Sequence, residues 1–203
     1  MTARVKICGV TRAGDAGAAI AAGADMVGLN FYAPSPRYLT LERALAVRAA
    51  IGSRAGVVGV FVNATRAYVD ERIGRLALDL IQFHGDEDES ALTGWRVPVI
   101  RALRIGAGEA REALARTHAD FILLDTFHPG LFGGTGQARP LAELSGLDLS
   151  RVFLSGGLTP DNVAEAAALA PYAVDAASGV ESAPGVKDHS KLRSFIANAK
   201  SAR

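Results

Sequence analysis

Eight short runs of β-branched and apolar residues, each followed by an alanine-rich or helix-forming stretch, predict an α/β fold whose parallel strands close into a (β/α)8, or TIM, barrel. Two further observations support this. The chain has 203 residues, near the short end for such a barrel, and polar residues gather just after the strand-like runs. A doubly wound open sheet is the structural alternative. Residues 1–203 read as one domain, since there is no linker, low-complexity segment or repeat beyond the βα alternation.

The elements follow in order. The first strand, 5–8, carries Val5 and Ile7, and the second, 26–31, carries Met26, Val27, Leu29 and Phe31. Valines dominate the third, 57–62, and Leu80, Ile81 and Phe83 the fourth, 80–83. The fifth spans 97–103, and the sixth, 121–125, is the run Phe121-Ile122-Leu123-Leu124 closed by Asp125. The seventh and eighth are 152–155 and 173–177. Such runs suit a pleated, buried surface. Between them, helical patterns lie near 13–22, 41–51, 66–75, 87–92, 108–117, 141–144, 161–170 and 188–199. Those at 87–92 and 141–144 are the shortest and least regular.

Composition excludes several classes. Apolar residues make up 49% of the chain, which fits a globular core rather than disorder. A formal net charge of +1 argues against nucleic acid or a membrane surface as main partner. One cysteine makes no internal disulfide, and four scattered histidines make no zinc spacing. No apolar run reaches membrane-spanning length and no signal-peptide pattern opens the chain, so the expected location is the cytoplasm.

In a closed barrel the strand ends form one ring at the C-terminal face, where sites of this fold sit. That ring is expected to hold Cys8, Arg37, Asn63, His84, Arg101, Arg104, Asp125, Gly156 and Ser178. The plain alternative is that loops are polar anyway, but several of these residues stand at strand ends. Side chains two apart share a face. With Val5 and Ile7 outward, Lys6 and Cys8 face the lumen; Asp125 and Asp175 do so by the same alternation. A buried lysine needs a counter-charge. Strands one and eight are neighbours in a closed barrel, so Lys6 is predicted to pair with Asp175 or another lumen carboxylate.

Ser155-Gly156-Gly157-Leu158-Thr159-Pro160-Asp161-Asn162 reads as strand, glycine turn and helix start, with Thr159 as N-cap and Pro160 in the first turn. Ala177-Ser178-Gly179-Val180-Glu181 is a second such turn. Glycines let backbone N–H groups approach an anion, and barrels commonly hold phosphate between their last two loops. Two ordinary βα turns are the bland alternative.

Cys8 is either a small buried filler or a nucleophile or base. Lys6 beside it would favour the thiolate. Asp125 is either a turn residue or a general acid whose pKa burial would raise. The run Gly130-Leu131-Phe132-Gly133-Gly134-Thr135-Gly136 reads as a substrate-closing loop or a plain surface loop. Arg37, stiffened by Pro36, suits a planar carboxylate or lies solvated. His84 suits hydrogen bonding or packing equally. Thiol, carboxylate and phosphate grip together point to acid–base chemistry on a small phosphorylated molecule.

These residues resemble the phosphoribosylanthranilate isomerase family of tryptophan biosynthesis, from Lys6 to Phe195 and in order. Lys6-Ile7-Cys8-Gly9-Val10-Thr11 is similar to its opening motif, Ser35-Pro36-Arg37 to its second loop, and Val58-Gly59-Val60-Phe61-Val62-Asn63 to its third strand. Gln82-Phe83-His84-Gly85, Gly133-Gly134-Thr135-Gly136, Ser178-Gly179-Val180-Glu181 and Pro184-Gly185-Val186-Lys187-Asp188 complete the match.

The resemblance implies a cofactor-free Amadori rearrangement of N-(5-phosphoribosyl)anthranilate to 1-(2-carboxyphenylamino)-1-deoxyribulose 5-phosphate. It implies Cys8 as general base and Asp125 as general acid. Arg37 would hold the anthranilate carboxylate, and Gly156, Gly157, Ser178 and Gly179 the phosphate. His84 and Asp175 would be further substrate contacts, Asp175 in competition with Lys6. No metal is implied, and monomer and homodimer both fit.

Some residues depart from the pattern. Ser155 replaces an alanine, Ala177 replaces a serine, and Gln137-Ala138-Arg139-Pro140 replaces an aromatic-acidic stretch. Alternatives are a dual-substrate or histidine-pathway aminoaldose isomerase, which would have aspartate in place of Cys8, and a non-catalytic phosphometabolite-binding barrel, which would lack the acid or the base. A metal-dependent epimerase would need converging histidines and aspartates that the sequence lacks.

Overall fold

The computed structural model describes residues 3–105, 109–126 and 141–202. Eight parallel strands form a closed barrel in sequence order, β1 hydrogen-bonding both β2 and β8. They are β1 Arg4–Ile7, β2 Met26–Asn30, β3 Gly56–Phe61, β4 Leu80–Phe83, β5 Val99–Ile105, β6 Phe121–Thr126, β7 Val152–Leu154 and β8 Ala173–Ala176. The helices are α1 Ala13–Ala21, α2 Leu41–Ile51, α3 Arg66–Leu76, α4 Ala110–Arg116, α5 Val163–Ala168 and α6 His189–Ser201.

The predicted alternation sorts the core into two layers. Val5, Ile7, Val27, Leu29, Val57, Ile81, Val99, Ile122, Leu124, Val152, Leu154 and Val174 pack outward under the helices. Met26, Val58, Ile100, Ala102, Leu123, Phe153 and Ala173 fill the lumen. At the barrel floor Phe121, Phe153 and Tyr172 pack against one another, Phe121 edge-on to Phe153, and the Arg4 guanidinium lies over the Tyr172 ring. The floor is thus sealed by packing, and the opposite end is left for a site.

A βαβ repeat that the sequence does not announce emerges at the strand starts. Asp25, Asp79 and Asp120 each precede an even-numbered strand. Each accepts a backbone N–H from the preceding odd strand: Val5, Val57 and Val99, all at 2.8 Å. The fourth equivalent position is Tyr172, which joins the aromatic floor instead.

Three expectations need correction. The fifth strand starts two residues late, at Val99, because Pro98 has no N–H to give the ladder and contributes only its carbonyl, to Ile81 N at 3.1 Å. The patterns at 87–92 and 141–144 are single 3₁₀ turns, Glu89–Leu92 and Leu141–Leu144, the first capped by Asp88. The helix expected from 161 begins at Val163. Thr159 does not cap it: its Oγ1 accepts from Asp161 N, within a turn over 160–162. A 3₁₀ turn, Ser178–Val180, follows β8, and beyond it is an antiparallel hairpin of β9 Glu181–Ala183 and β10 Val186–Lys187, with Gly185 at φ 79° in its turn.

Candidate active site

A cavity of about 420 Å³ opens at the C-terminal end of the strands. Cys8, Arg37, His84, Asp125, Gly156, Gly157, Asp175, Ser178 and Gly179 all line it. Three of the predicted ring residues do not. Ile100 and Ala102 face the lumen, so Arg101 points outward, where it binds Glu87 at 3.0 Å. Glu87 also accepts the Asn63 and Gly85 N–H groups, which ties the β3 and β4 loops together. Arg104 donates to the His84 carbonyl at 2.7 Å. Asn30, Tyr32, Val60 and Gln82 line the cavity without having been given a role, and Ser155 of the first glycine turn joins them. The inward alternation of Asn30 with Gly28, and of Gln82 with Leu80, was the available signal.

Lys6 is fully buried and its Nζ lies 2.9 Å from Asp175 Oδ1, the pairing expected from strand adjacency. Asp175 Oδ2 accepts from Ser155 Oγ at 3.2 Å. Burial alone would lower the Lys6 pKa, but the charges of Asp175 and Cys8 outweigh it and the ammonium is held above its ordinary value. Cys8 is half-buried, its N–H bonded to Ala176 O. Dehydration pushes its thiol above the usual value, with Asp175 adding to the rise and Lys6 and Lys187 pulling back. Lys6 thus favours the thiolate, as expected, but the loss of water outweighs both cations and the thiol stays above its ordinary value. Gly28 makes the space, since a Cβ there would sit 2.9 Å from the sulfur.

Asp125 is buried, with His84 Nε2 at 3.4 Å from its Oδ2, outside hydrogen-bond geometry. His84 Nδ1 meets the Gln82 side-chain amide at 2.9 Å, which turns Nε2 toward Asp125. The glycine-rich run 130–136 and the stretch 137–140 lie outside the described residues.

Arg37 makes a two-pronged ion pair with Glu181, Nε to Oε1 at 2.8 Å and Nη2 to Oε2 at 2.7 Å. Its side chain crosses Gly9, where φ is +68° and a Cβ would meet Arg37 Cδ at 2.4 Å. Glu181 is the functional neighbour that sequence reasoning missed.

The two glycine turns meet. Gly156 and Gly157 have φ of 87° and 67°, and Asn162 braces their loop by donating to Gly157 O while accepting from Thr159 N. A Cβ on Gly179 would lie 1.9 Å from Leu158 O, a backbone atom that cannot step aside. Gly179→Ala is therefore expected to pry the loops apart and raise KM for a phosphorylated substrate at least about tenfold, or about 1.4 kcal/mol. Steady-state kinetics checks it, and an unchanged KM would mean the loops need not touch.

The family model for N-(5'-phosphoribosyl)anthranilate isomerase matches residues 5–198. The chain belongs to that family. A relative of that name from Pseudomonas fluorescens (strain Pf0-1) is 47% identical over 196 residues, covering 95% of this chain and 96% of its own. The crystal structure of the Thermus thermophilus phosphoribosylanthranilate isomerase superposes with a TM-score of 0.88 at 40% identity, over 98% of this chain and all of that one. A third phosphoribosylanthranilate isomerase, at 35% identity and TM-score 0.84, covers 98% of each chain and was solved with reduced 1-(o-carboxyphenylamino)-1-deoxyribulose 5-phosphate.

Proposed function

We propose that this cavity carries out the Amadori rearrangement of N-(5'-phosphoribosyl)anthranilate in tryptophan biosynthesis, with Asp125 as acid and Cys8 as base. One observation carries the assignment of roles: a carboxyl, a thiol, a guanidinium and two apposed glycine turns line the same cavity. Asp125 gives its proton to the furanose ring oxygen. The C1–O bond breaks, and the anthranilate nitrogen's lone pair forms a protonated imine at C1. That imine acidifies the C2 hydrogen, so a modest base suffices. Cys8, as thiolate, takes the C2 proton, and the C–H electron pair forms C1=C2 and neutralises the nitrogen. Loss of the C2 hydroxyl proton and protonation at C1 then give the 2-ketone.

The other groups orient. Arg37 takes the anthranilate carboxylate through the edge that Glu181 leaves uncovered, and His84 and Asp175 meet the sugar. Gly156, Gly157, Ser178 and Gly179 receive the phosphate on backbone and hydroxyl donors. The whole chain works as one barrel domain. No helix among the described residues is long and apolar enough to cross a membrane, in keeping with a cytoplasmic enzyme.

The test is turnover of phosphoribosylanthranilate generated in situ, followed by loss of its anthranilate fluorescence with EDTA present. Decay driven by the protein and indifferent to EDTA is expected. A folded protein that leaves the signal untouched would defeat the reading.

A further inference from the structure

The β9–β10 hairpin places a carboxylate and an ammonium beside the cavity for which the mechanism above has no use. Glu181 and Lys187 are cross-strand partners, and Lys187 is 3% exposed. Lys187 Nζ donates to Glu181 Oε1 at 2.8 Å and to Ala177 O at 2.9 Å. The same Oε1 accepts from Arg37 Nε, so a single oxygen joins two cations. The hairpin is clamped from several sides. Thr11 Oγ1 donates to Gly185 O, Asp15 Oδ2 accepts from Lys187 N, and Lys191 Nζ donates to Glu181 O. Its turn abuts the loop that carries Arg37, a Cβ on Gly185 being 3.1 Å from Pro36 O.

Burying such a network is costly, and apolar side chains of similar volume commonly stabilise as well or better. Its place beside the cavity therefore points to a role other than stability. The charges suggest one. Among the described residues, Lys6, Arg37 and Lys187 form ion pairs with two carboxylates, Asp175 and Glu181. One positive charge is left over, and a Cys8 thiolate would balance it.

We propose that Glu181 and Lys187 are positioning residues for the isomerisation: Glu181 fixes Arg37 in the pose that receives the substrate carboxylate, and Lys187 supplies a second cation, besides Lys6, that favours ionisation of Cys8. This rests on the roles of Arg37 and Cys8 given above. Lys187 Nζ is held on Ala177 O, one residue beyond the Ala176 carbonyl that accepts the Cys8 N–H, so Lys187 and Lys6 both favour the thiolate while Asp175 opposes it. His84 and Asp125 line the same cavity, while Asp15 and His189 stand behind the hairpin.

Cys8 is the only cysteine in the chain, so its ionisation can be read without catalysis, from the rate of iodoacetamide alkylation against pH. In Lys187→Gln the alkylation rate between pH 7 and 9 is expected to fall at least about threefold, since each pKa unit is worth tenfold. Unfolding cannot imitate this, because a solvated thiol reacts faster. Lys187→Arg, which keeps the charge, is expected to stay within about twofold of wild type. In Glu181→Gln, KM is expected to rise at least about tenfold with a smaller fall in kcat.

An alkylation profile unchanged in Lys187→Gln, or slowed equally in Lys187→Arg, overturns the role of Lys187. An unchanged KM overturns that of Glu181. The function reading fails separately: it falls if wild type does not turn over, or if Cys8→Ala does so normally, and the alkylation arm still decides Lys187.

Discussion

Cys8→Ala lowers turnover at saturating substrate at least about a hundredfold, and Asp125→Ala does the same. A positioned acid or base typically contributes about 10²–10⁴ in rate, roughly 3–5 kcal/mol of barrier. The two act on different bonds, so neither can stand in for the other. Asp125 is a buried carboxyl lining the cavity, and water replacing it would be a far weaker acid at the ring oxygen. Cys8 must first lose its proton, and burial holds its thiol above the usual value. The rate in wild type should therefore climb with pH, its limb centred above the ordinary thiol pKa of about 8.5, and Cys8→Ala should lose that limb. Steady-state rates between pH 6 and 10 check both statements. Near-normal turnover in either variant removes that residue from the mechanism.

How much of this was legible in the sequence depends on the range of the interaction involved. Strand alternation is local, and it was enough to place Lys6, Cys8, Asp125 and Asp175 on the lumen side and to pair Lys6 with Asp175 across the closure of the barrel. Chain order around a barrel also sufficed to bring the two glycine turns together. Register was less legible: Pro98 delays β5 by two residues, and Arg101 belongs to the outer face. The β9–β10 hairpin was invisible because strands of three and two residues carry no periodicity. With it went the role of Glu181, which meets Arg37 across 144 residues of chain. Gly28 and Gly179 stood in plain view, but what a Cβ would strike, Cys8 Sγ or Leu158 O, is a fact of packing alone.

Lys6→Met is expected to be the most damaging change to stability. Lys6 is completely buried, and removing its ammonium leaves the Asp175 carboxylate with only the Ser155 hydroxyl among described side chains. Stranding one partner of a buried pair typically costs about 3–5 kcal/mol, or roughly 6–20 °C in Tm for a chain of this size. The sign with pH also follows. Burial alone would lower the Lys6 pKa, but Asp175 and Cys8 raise it overall, so the folded state holds this proton more tightly than the unfolded chain. The pair's contribution is thus complete below about pH 10.4, the unfolded lysine value, and is lost as pH rises through the folded one. Lys6→Met/Asp175→Leu should recover most of the Tm, since an apolar pair in that space carries no stranded charge. It should also melt with less sensitivity to alkali than wild type. It should not recover turnover, because Asp175 lines the cavity and Lys6 is the principal cation acting on Cys8. Thermal melts and kinetics on the two variants separate these effects. A double variant that is both stable and fully active would reduce the Lys6–Asp175 pair to scaffolding, and leave Lys187 alone to ionise the thiol.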